Sequence, residues 1–328
     1  GNTDENGDGN FFHSVPSGFK MLKQDNLPET SKGIPDFVWI KNRDASDGHQ
    51  LYDSSRGPLK ELHSDSNAVE STTDDGLQRF IAGGCQIEDN TQINTIDEKY
   101  VSWNWVANGG TTAANTDGSG ASIASTTQAN QTAGFSIVQW TGTGSNGTVA
   151  HGLSQAPDWI LIKNLTASGQ SWHVYLNIVA MGNNRALFLD TNASYSSSSE
   201  FFNDTNPTNK VFSVGTSGGV NQSTKSMLAY CWHEVEGYSK FGAYIGNQNA
   251  DGPFIYTGFK PSWVMIKRYS ASGEWFILDR ERNPTNTGTK EYLDADTTDS
   301  GGSLDAGAID FLSNGFKIRQ VSSQINYG

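Results

Sequence analysis

Ile34-Pro35-Asp36-Phe37-Val38-Trp39-Ile40-Lys41-Asn42 decides how this chain is read, because it returns twice. It recurs as Ala156-Pro157-Asp158-Trp159-Ile160-Leu161-Ile162-Lys163-Asn164 and as Lys260-Pro261-Ser262-Trp263-Val264-Met265-Ile266-Lys267-Arg268. Proline and lysine stand six residues apart each time, and the prolines are separated by 122 and 104 residues. Side chains of a strand alternate between its faces, so Phe37 and Trp39 share one face and Val38 and Ile40 the other. Trp159 and Leu161 oppose Ile160 and Ile162 in the same way, and Trp263 and Met265 oppose Val264 and Ile266. Both faces are apolar in every copy. One face can fill a sandwich interior, and the other then needs a cover. The expected cover is a neighbouring repeat or another copy of the chain; the alternative is a strand central to one thick core.

Working outward, a second block follows each copy. Leu51-Tyr52-Asp53-Ser54-Ser55-Arg56 answers Ile277-Leu278-Asp279-Arg280-Glu281-Arg282, with Trp172-His173-Val174-Tyr175 in the middle copy. A third block, Tyr100-Val101-Ser102-Trp103-Asn104-Trp105 and Met227-Leu228-Ala229-Tyr230-Cys231-Trp232, closes the first two copies. Openings match as well: Gly134-Phe135-Ser136-Ile137-Val138-Gln139-Trp140 resembles Lys240-Phe241-Gly242-Ala243-Tyr244-Ile245-Gly246. These are three divergent copies of one unit of roughly 75–105 residues. Within a copy the apolar period is two, and short β-branched or aromatic runs are separated by clusters such as Asn108-Gly109-Gly110. No capped helical stripe interrupts them. The pattern predicts an all-β chain of tandem antiparallel β-sandwich repeats, jelly-roll-like in character.

The expected organisation is a head over residues 1–32, repeat one over 33–106 and a low-complexity linker over 107–133. Repeat two then covers 134–236 and repeat three 237–328. Repeat one lacks the two opening strands. Repeat three lacks the closing strand, so either the natural protein continues or another chain closes that edge, since an uncovered edge invites strand pairing.

Acidic residues number 35 against 22 basic ones in 328, for a net charge of −13. Nucleic-acid binding needs a basic face, so no nucleic-acid partner is expected. No run of about 18 apolar residues exists to span a bilayer, so membrane insertion is not expected either. Two cysteines, Cys85 and Cys231, occupy non-equivalent places in the repeats, which argues for small buried thiols rather than a bridge.

The motifs that could carry chemistry are weak. Gly142-Thr143-Gly144-Ser145-Asn146-Gly147 matches a dinucleotide fingerprint in form, but Thr148-Val149-Ala150 continues as a strand where a helix is required, which makes it a hairpin loop. Gly215-Thr216-Ser217-Gly218-Gly219 has the spacing of a nucleophile elbow, again without the helix that should follow, and reads as a turn. Asp4-Glu5-Asn6-Gly7-Asp8-Gly9 opens like a calcium loop, yet position twelve is Val15 rather than a bidentate glutamate. The six histidines show no ligand spacing. No catalytic residue, cofactor or metal is assigned, and the chain is not expected to be an enzyme.

The blocks at 135–147, Val235-Glu236-Gly237-Tyr238-Ser239-Lys240-Phe241-Gly242, Asp251-Gly252-Pro253-Phe254-Ile255-Tyr256-Thr257-Gly258-Phe259 and Asp310-Phe311-Leu312-Ser313-Asn314-Gly315-Phe316 resemble an uncharacterised β-rich repeat domain. That domain occurs in tail-fibre and tail-associated virion proteins of tailed bacteriophages, chiefly marine ones. The head, Gly9-Asn10-Phe11-Phe12 through Pro28-Glu29, resembles the end of a SPRY-type sandwich that precedes such repeats. The resemblance implies a virion location, a homo-oligomer (a trimer favoured), other virion proteins as partners, and a structural or adhesive role with host surface polysaccharide as a possible ligand. Sugars stack on aromatic faces, and Trp172, Tyr195, Tyr269 and Trp275 are the candidate contacts, each weighed against core packing. Two alternatives stand beside this one: a secreted carbohydrate-active enzyme or lectin-like module, and a virion decoration protein without a ligand.

Overall fold

A computed structural model describes residues 34–114, 120–304 and 308–327. The SPRY-like head and the acidic loop at 4–9 lie outside the described residues. Each proline-to-lysine block forms a strand: Phe37–Asn42, Trp159–Asn164 and Trp263–Lys267. Each pairs antiparallel with the block that follows it, Gln50–Asp53, His173–Leu176 and Trp275–Asp279. One register serves all three, with Phe37, Trp159 and Trp263 opposite Asp53, Leu176 and Asp279. Equivalent residues of the three repeats are therefore fixed by pairing rather than by sequence alignment.

On their other side, the first two strands pair with the closing strands Tyr100–Trp105 and Ser226–Trp232, again in one register: Phe37 opposite Trp105 and Trp159 opposite Trp232. Trp263–Lys267 is the outermost strand of its sheet. The sheet of repeat two is the widest, with eight strands. Ser125–Asn130, within the low-complexity stretch, belongs to it and pairs along Phe135–Thr141. Threonine and serine there supply β-compatible side chains despite the monotonous composition.

Every inner sheet has an outer layer of its own. Val38, Ile40 and Tyr52 pack on Leu77 and Ile93; Ile160, Ile162 and Tyr175 pack with Val149, Phe212 and Val214. Val264, Ile266, Phe276 and Leu278 pack with Ile309, Phe311, Phe316 and Ile318. The opposite faces meet in one core common to all three repeats, where Phe37, Trp39, Leu161, Trp172, Tyr230, Trp275 and Ile277 are buried and Trp159, Trp263 and Met265 lie against them. The chain is all-β and antiparallel, as its pattern requires. The second apolar face is covered by neighbouring repeats of the same chain, so the apolar argument for a homotrimer is met within one polypeptide.

The loops resolve the formal motifs. Gly142 to Gly147 is not the expected hairpin loop: it connects Phe135–Thr141, in the eight-stranded sheet, to the strand Gly147–Ala150, which pairs instead with Val211–Val214, so it is a link between two sheets, and a strand rather than a helix follows it. A Cβ on Gly142 would collide with the carbonyl oxygen of Gln222, which is why glycine stands there. The stretch at 215–219 departs from the expected turn: Gly218–Asn221 is a single helical turn. Its purpose is visible in Asn221, which is fully buried and whose side-chain amide donates to Thr143 Oγ1 and Ser145 O, tying this turn to the 142–147 link. Cys85 and Cys231 are both free thiols. Among the described residues, no helix is long and apolar enough to cross a membrane.

Candidate functional site

The register makes His49, Trp172 and Trp275 equivalent, each one residue ahead of its strand or at its start. All three are buried. Each backbone N–H donates to an aspartate of its own repeat: His49 to Asp65 at 2.7 Å, Trp172 to Asp190 at 2.9 Å and Trp275 to Asp296 at 2.9 Å. Each ring N–H crosses to another repeat. Trp172 Nε1 donates to the carbonyl of His63 at 2.8 Å, and Trp275 Nε1 to that of Phe188 at 2.9 Å. His49 Nε2 meets the carbonyl of Asp294 at 3.0 Å, while its Nδ1 accepts from Trp39 Nε1 at 2.7 Å. Those two partners place the proton on Nε2 and keep the ring neutral. Burial, with Lys41 nearby, pushes its pKa down to about 3.

His63, Phe188 and Asp294 are themselves equivalent, since Leu51, Val174 and Ile277 stand opposite Leu62, Leu187 and Leu293. Repeat two thus holds repeat one, repeat one holds repeat three, and repeat three holds repeat two. The joints form a closed ring.

Two further layers follow the same order. Lys163 and Lys267 place their ammonium groups 5.5 and 5.6 Å from the ring centroids of Trp172 and Trp275, within cation–π range. Lys41 donates to the carbonyl of Thr298 in repeat three at 3.1 Å, and Lys267 to that of Thr191 in repeat two at 3.4 Å. Burial lowers all three lysines to about 8, opposed by carboxylates that include Asp65, Asp190 and Asp296 respectively. From the closing strands, Tyr230 Oη donates to Asp53 at 2.7 Å, and Trp103 Nε1 to Asp279 at 3.4 Å. Arg56 and Arg282 hold those aspartates, and both guanidiniums are buried. Burial alone would lower the Arg56 pKa; Asp53 beside it overrides this and raises it.

Among the residues expected to meet a glycan, Trp172 and Trp275 are corrected. Their rings are enclosed, 0% and 2% exposed, and their N–H groups hold neighbouring repeats. Tyr195 and Tyr269 remain half-exposed. Their ring centroids are 6.4 Å apart, Tyr195 N–H donates to Tyr269 O, and the Arg185 guanidinium lies 4.2 Å from the Tyr195 ring. The structure also adds a motif: Leu62-His63-Ser64-Asp65, Leu187-Phe188-Leu189-Asp190 and Leu293-Asp294-Ala295-Asp296 share a Leu-x-x-Asp pattern. Its aspartate anchors the buried aromatic or histidine, and the residue after leucine presents the carbonyl.

At the joint of repeats one and three, Ser46, Tyr292, Asp294, Asp299 and Gly301 line an open cavity of about 260 Å³. Burial, with Glu274 and Asp299 adding repulsion, pushes the Asp294 carboxyl up to about 7. Asp296 is raised as well, by burial and then by Glu274. A carboxyl whose folded pKa is raised binds more protons folded than unfolded between about pH 4 and 7, so its contribution to stability is lost as pH rises through that window. Asp294→Asn removes that titration. The variant is expected to gain stability relative to the parent as pH rises from 4 to 7, by at most about 1.4 kcal/mol per pH unit, read from urea denaturation at each pH. A parent and variant that track each other across this range would refute the buried, raised carboxyl.

Strands packed about one core and pinned by a cyclic set of side-chain bonds define an all-β protein of three tandem repeats closed into a ring. The chain belongs to the family described as a domain of unknown function, DUF7483, which matches residues 24–328. No curated protein and no solved structure matches it.

Proposed function

We propose that this chain is a structural and adhesive component of a bacteriophage tail appendage, located on the virion, with surface loops available to host glycan. What supports the reading is where the buried polar groups point. His49, Trp172, Trp275, Tyr230, Asp53 and Asp279, with Lys41 and Lys267, are committed to joining one repeat to the next. A chain built this way transmits force between repeats through side chains held inside a core, which suits a scaffold. The resemblance of its repeat blocks to tail-associated domains supplies the particle. Assembly as a homotrimer and contact with other virion proteins belong to the same proposal.

Tyr195 and Tyr269 provide the accessible aromatic pair for a sugar face. Tyr269→Ala is expected to reduce host adsorption and glycan-array binding about five- to tenfold, the loss of roughly one stacking contact of 1–1.5 kcal/mol, measured at a temperature where the variant is shown to be folded. Unaltered adsorption would remove this pair from the proposal, and imaging the particle with an antibody to the chain tests its place in the virion. A second reading has one observation in its favour: Asp294, near neutral, shares an open cavity with Asp299. Two carboxyl groups sharing one cavity, one of them raised by burial, are the equipment of glycoside hydrolysis. Release of reducing ends from host polysaccharide that disappears in Asp294→Asn would favour that reading over the first.

A further inference from the structure

Repeat one closes its joint with a side chain where the other two repeats use backbone. In repeat two Leu189 N–H donates to the carbonyl of Trp172 at 3.1 Å, and in repeat three Ala295 N–H donates to that of Trp275 at 2.9 Å. The equivalent amide of repeat one is Ser64 N–H, and among the described residues no backbone carbonyl accepts from it. The imidazole of His63 reaches the equivalent carbonyl instead, with Nδ1 3.1 Å from His49 O.

That contact lies in line with two joints. Trp172 Nε1 of repeat two donates to the backbone carbonyl of His63, the His63 ring meets the carbonyl of His49, and the His49 ring meets the carbonyl of Asp294 in repeat three. Beside it, Ser64 Oγ donates to Ala295 O of repeat three at 2.6 Å. His63 thus binds one neighbouring repeat with its backbone and steadies the grip on the other with its ring. Phe188 holds the corresponding place at the joint of repeats two and three, where its ring packs edge-on to His173 and Phe201 and has no proton to exchange.

The surroundings of the His63 ring call for two protons. Nε2 lies 3.5 Å from Glu61 Oε1, within ion-pair range. Nδ1 stands between opposite demands: His49 O needs a donor, while Gln50 Nε2, 3.3 Å away, needs a lone pair. A doubly protonated ring serves Glu61 and His49 O together. A neutral ring that keeps its proton toward Glu61 turns its Nδ1 lone pair to Gln50 and withdraws from His49 O. Gln50 Oε1 is buried and unpartnered as the amide stands, so turning the amide over gives the charged ring a further acceptor. Burial opposes the charge, but Glu61, Asp65 and the His49 carbonyl override it and raise the His63 pKa. Tyr52 shares Glu61, and Lys41 acts on His49 and Asp65. From repeat three come Arg282, which acts on His49, and Asp294, whose carbonyl His49 holds. Repeat two contributes Trp172, backed by Lys163 and Asp190.

We propose that His63 is a protonation-controlled latch on the ring of repeats: carrying both ring protons it clamps His49 and holds repeat one against repeats two and three, and carrying one it lets repeat one loosen. The joint between repeats two and three stays shut in either state. Because the ring is more basic folded than unfolded, its contribution to stability is complete below the ordinary value of 6.5 and is lost as pH rises through the higher folded value. Mildly acidic solution therefore locks repeat one, and mildly alkaline solution frees it. This inference does not depend on the function proposed above.

The test is heteronuclear NMR of the full chain, titrated from about pH 5.5 to 8.5, following the His63 ring and the assigned indole N–H signals of Trp172 and Trp275. The Trp172 indole proton, whose bond ends on His63, is expected to shift with the midpoint of the His63 ring. Its solvent exchange, corrected for the intrinsic rise with pH, is expected to quicken at least about threefold across that midpoint. The Trp275 indole proton, whose bond ends on Phe188, is expected to hold still. His63→Gln keeps a donor for His49 O that does not titrate, so the Trp172 step is expected to vanish there and to remain in Asp294→Asn. The proposal is overturned by a Trp172 signal that does not follow His63, or by a Trp275 signal that moves equally. It is overturned equally by a step that survives in His63→Gln or is lost in Asp294→Asn, which would assign it to another group. The two indoles of the parent chain decide the matter even where a variant does not fold.

Discussion

Replacing Trp172 with alanine lowers the stability of the whole chain by about 3–5 kcal/mol, the range for truncating a fully buried large aromatic. Three losses coincide. The indole leaves a cavity in the core shared by all repeats; the carbonyl of His63 loses its donor; and Lys163 loses the ring beneath its ammonium. Trp172→Phe keeps most of the apolar volume and removes the bond, so it is expected to lie between alanine and the parent. Urea denaturation followed by fluorescence measures both. The ring of joints adds a sharper expectation: the transition shifts as one, although the change lies in a single repeat. Repeats that folded independently would instead show repeat two melting alone, and a loss under about 1 kcal/mol would mean that the joint carries no stability.

The second large effect is at Arg56. Its Nε bonds Asp53, its Nη2 donates to Leu51 O at 3.2 Å and its Nη1 lies 3.3 Å from Glu70. Asp53 is fully buried, so Arg56→Ala strands a carboxylate with Tyr230 Oη as its remaining side-chain donor. Breaking a buried pair from one side costs about 3–5 kcal/mol, because the abandoned charge stays desolvated. Arg56→Lys is not expected to rescue it, since an ammonium cannot reproduce the planar fork that spans carboxylate and carbonyl. Arg282→Ala should repeat the result, for its Nε bonds Asp279 at 2.7 Å and its Nη2 donates to Ile277 O at 3.1 Å. The exposed pair Lys99–Asp44 gives the contrast, with an expected effect of about 0–1 kcal/mol. Arg56→Ala and Lys99→Ala with equal losses would show that the buried aspartate finds water on its own.

The ring of joints escaped sequence reading for a definite reason. A backbone carbonyl can be offered by any residue, so His63, Phe188 and Asp294 share a role without sharing chemistry. The aspartates of the Leu-x-x-Asp motif are conspicuous only after the strand register has aligned them, because the insertions between the proline and the motif differ in length. Trp172 and Trp275 show a related ambiguity. A tryptophan beside a strand looks the same whether it will stack on a sugar or plug a core, and only the surrounding repeats decide which.

By itself, the sequence determined that the chain is all-β, that three units descend from one pattern, and that each proline-to-lysine strand has two apolar faces. Those are consequences of alternation, a property of six consecutive residues. Which surface covers the second face and in what cyclic order the repeats grip one another were decided by the tertiary structure alone. Such choices depend on bonds between residues that can stand more than 200 positions apart, such as His49 and Asp294, and no local period records them.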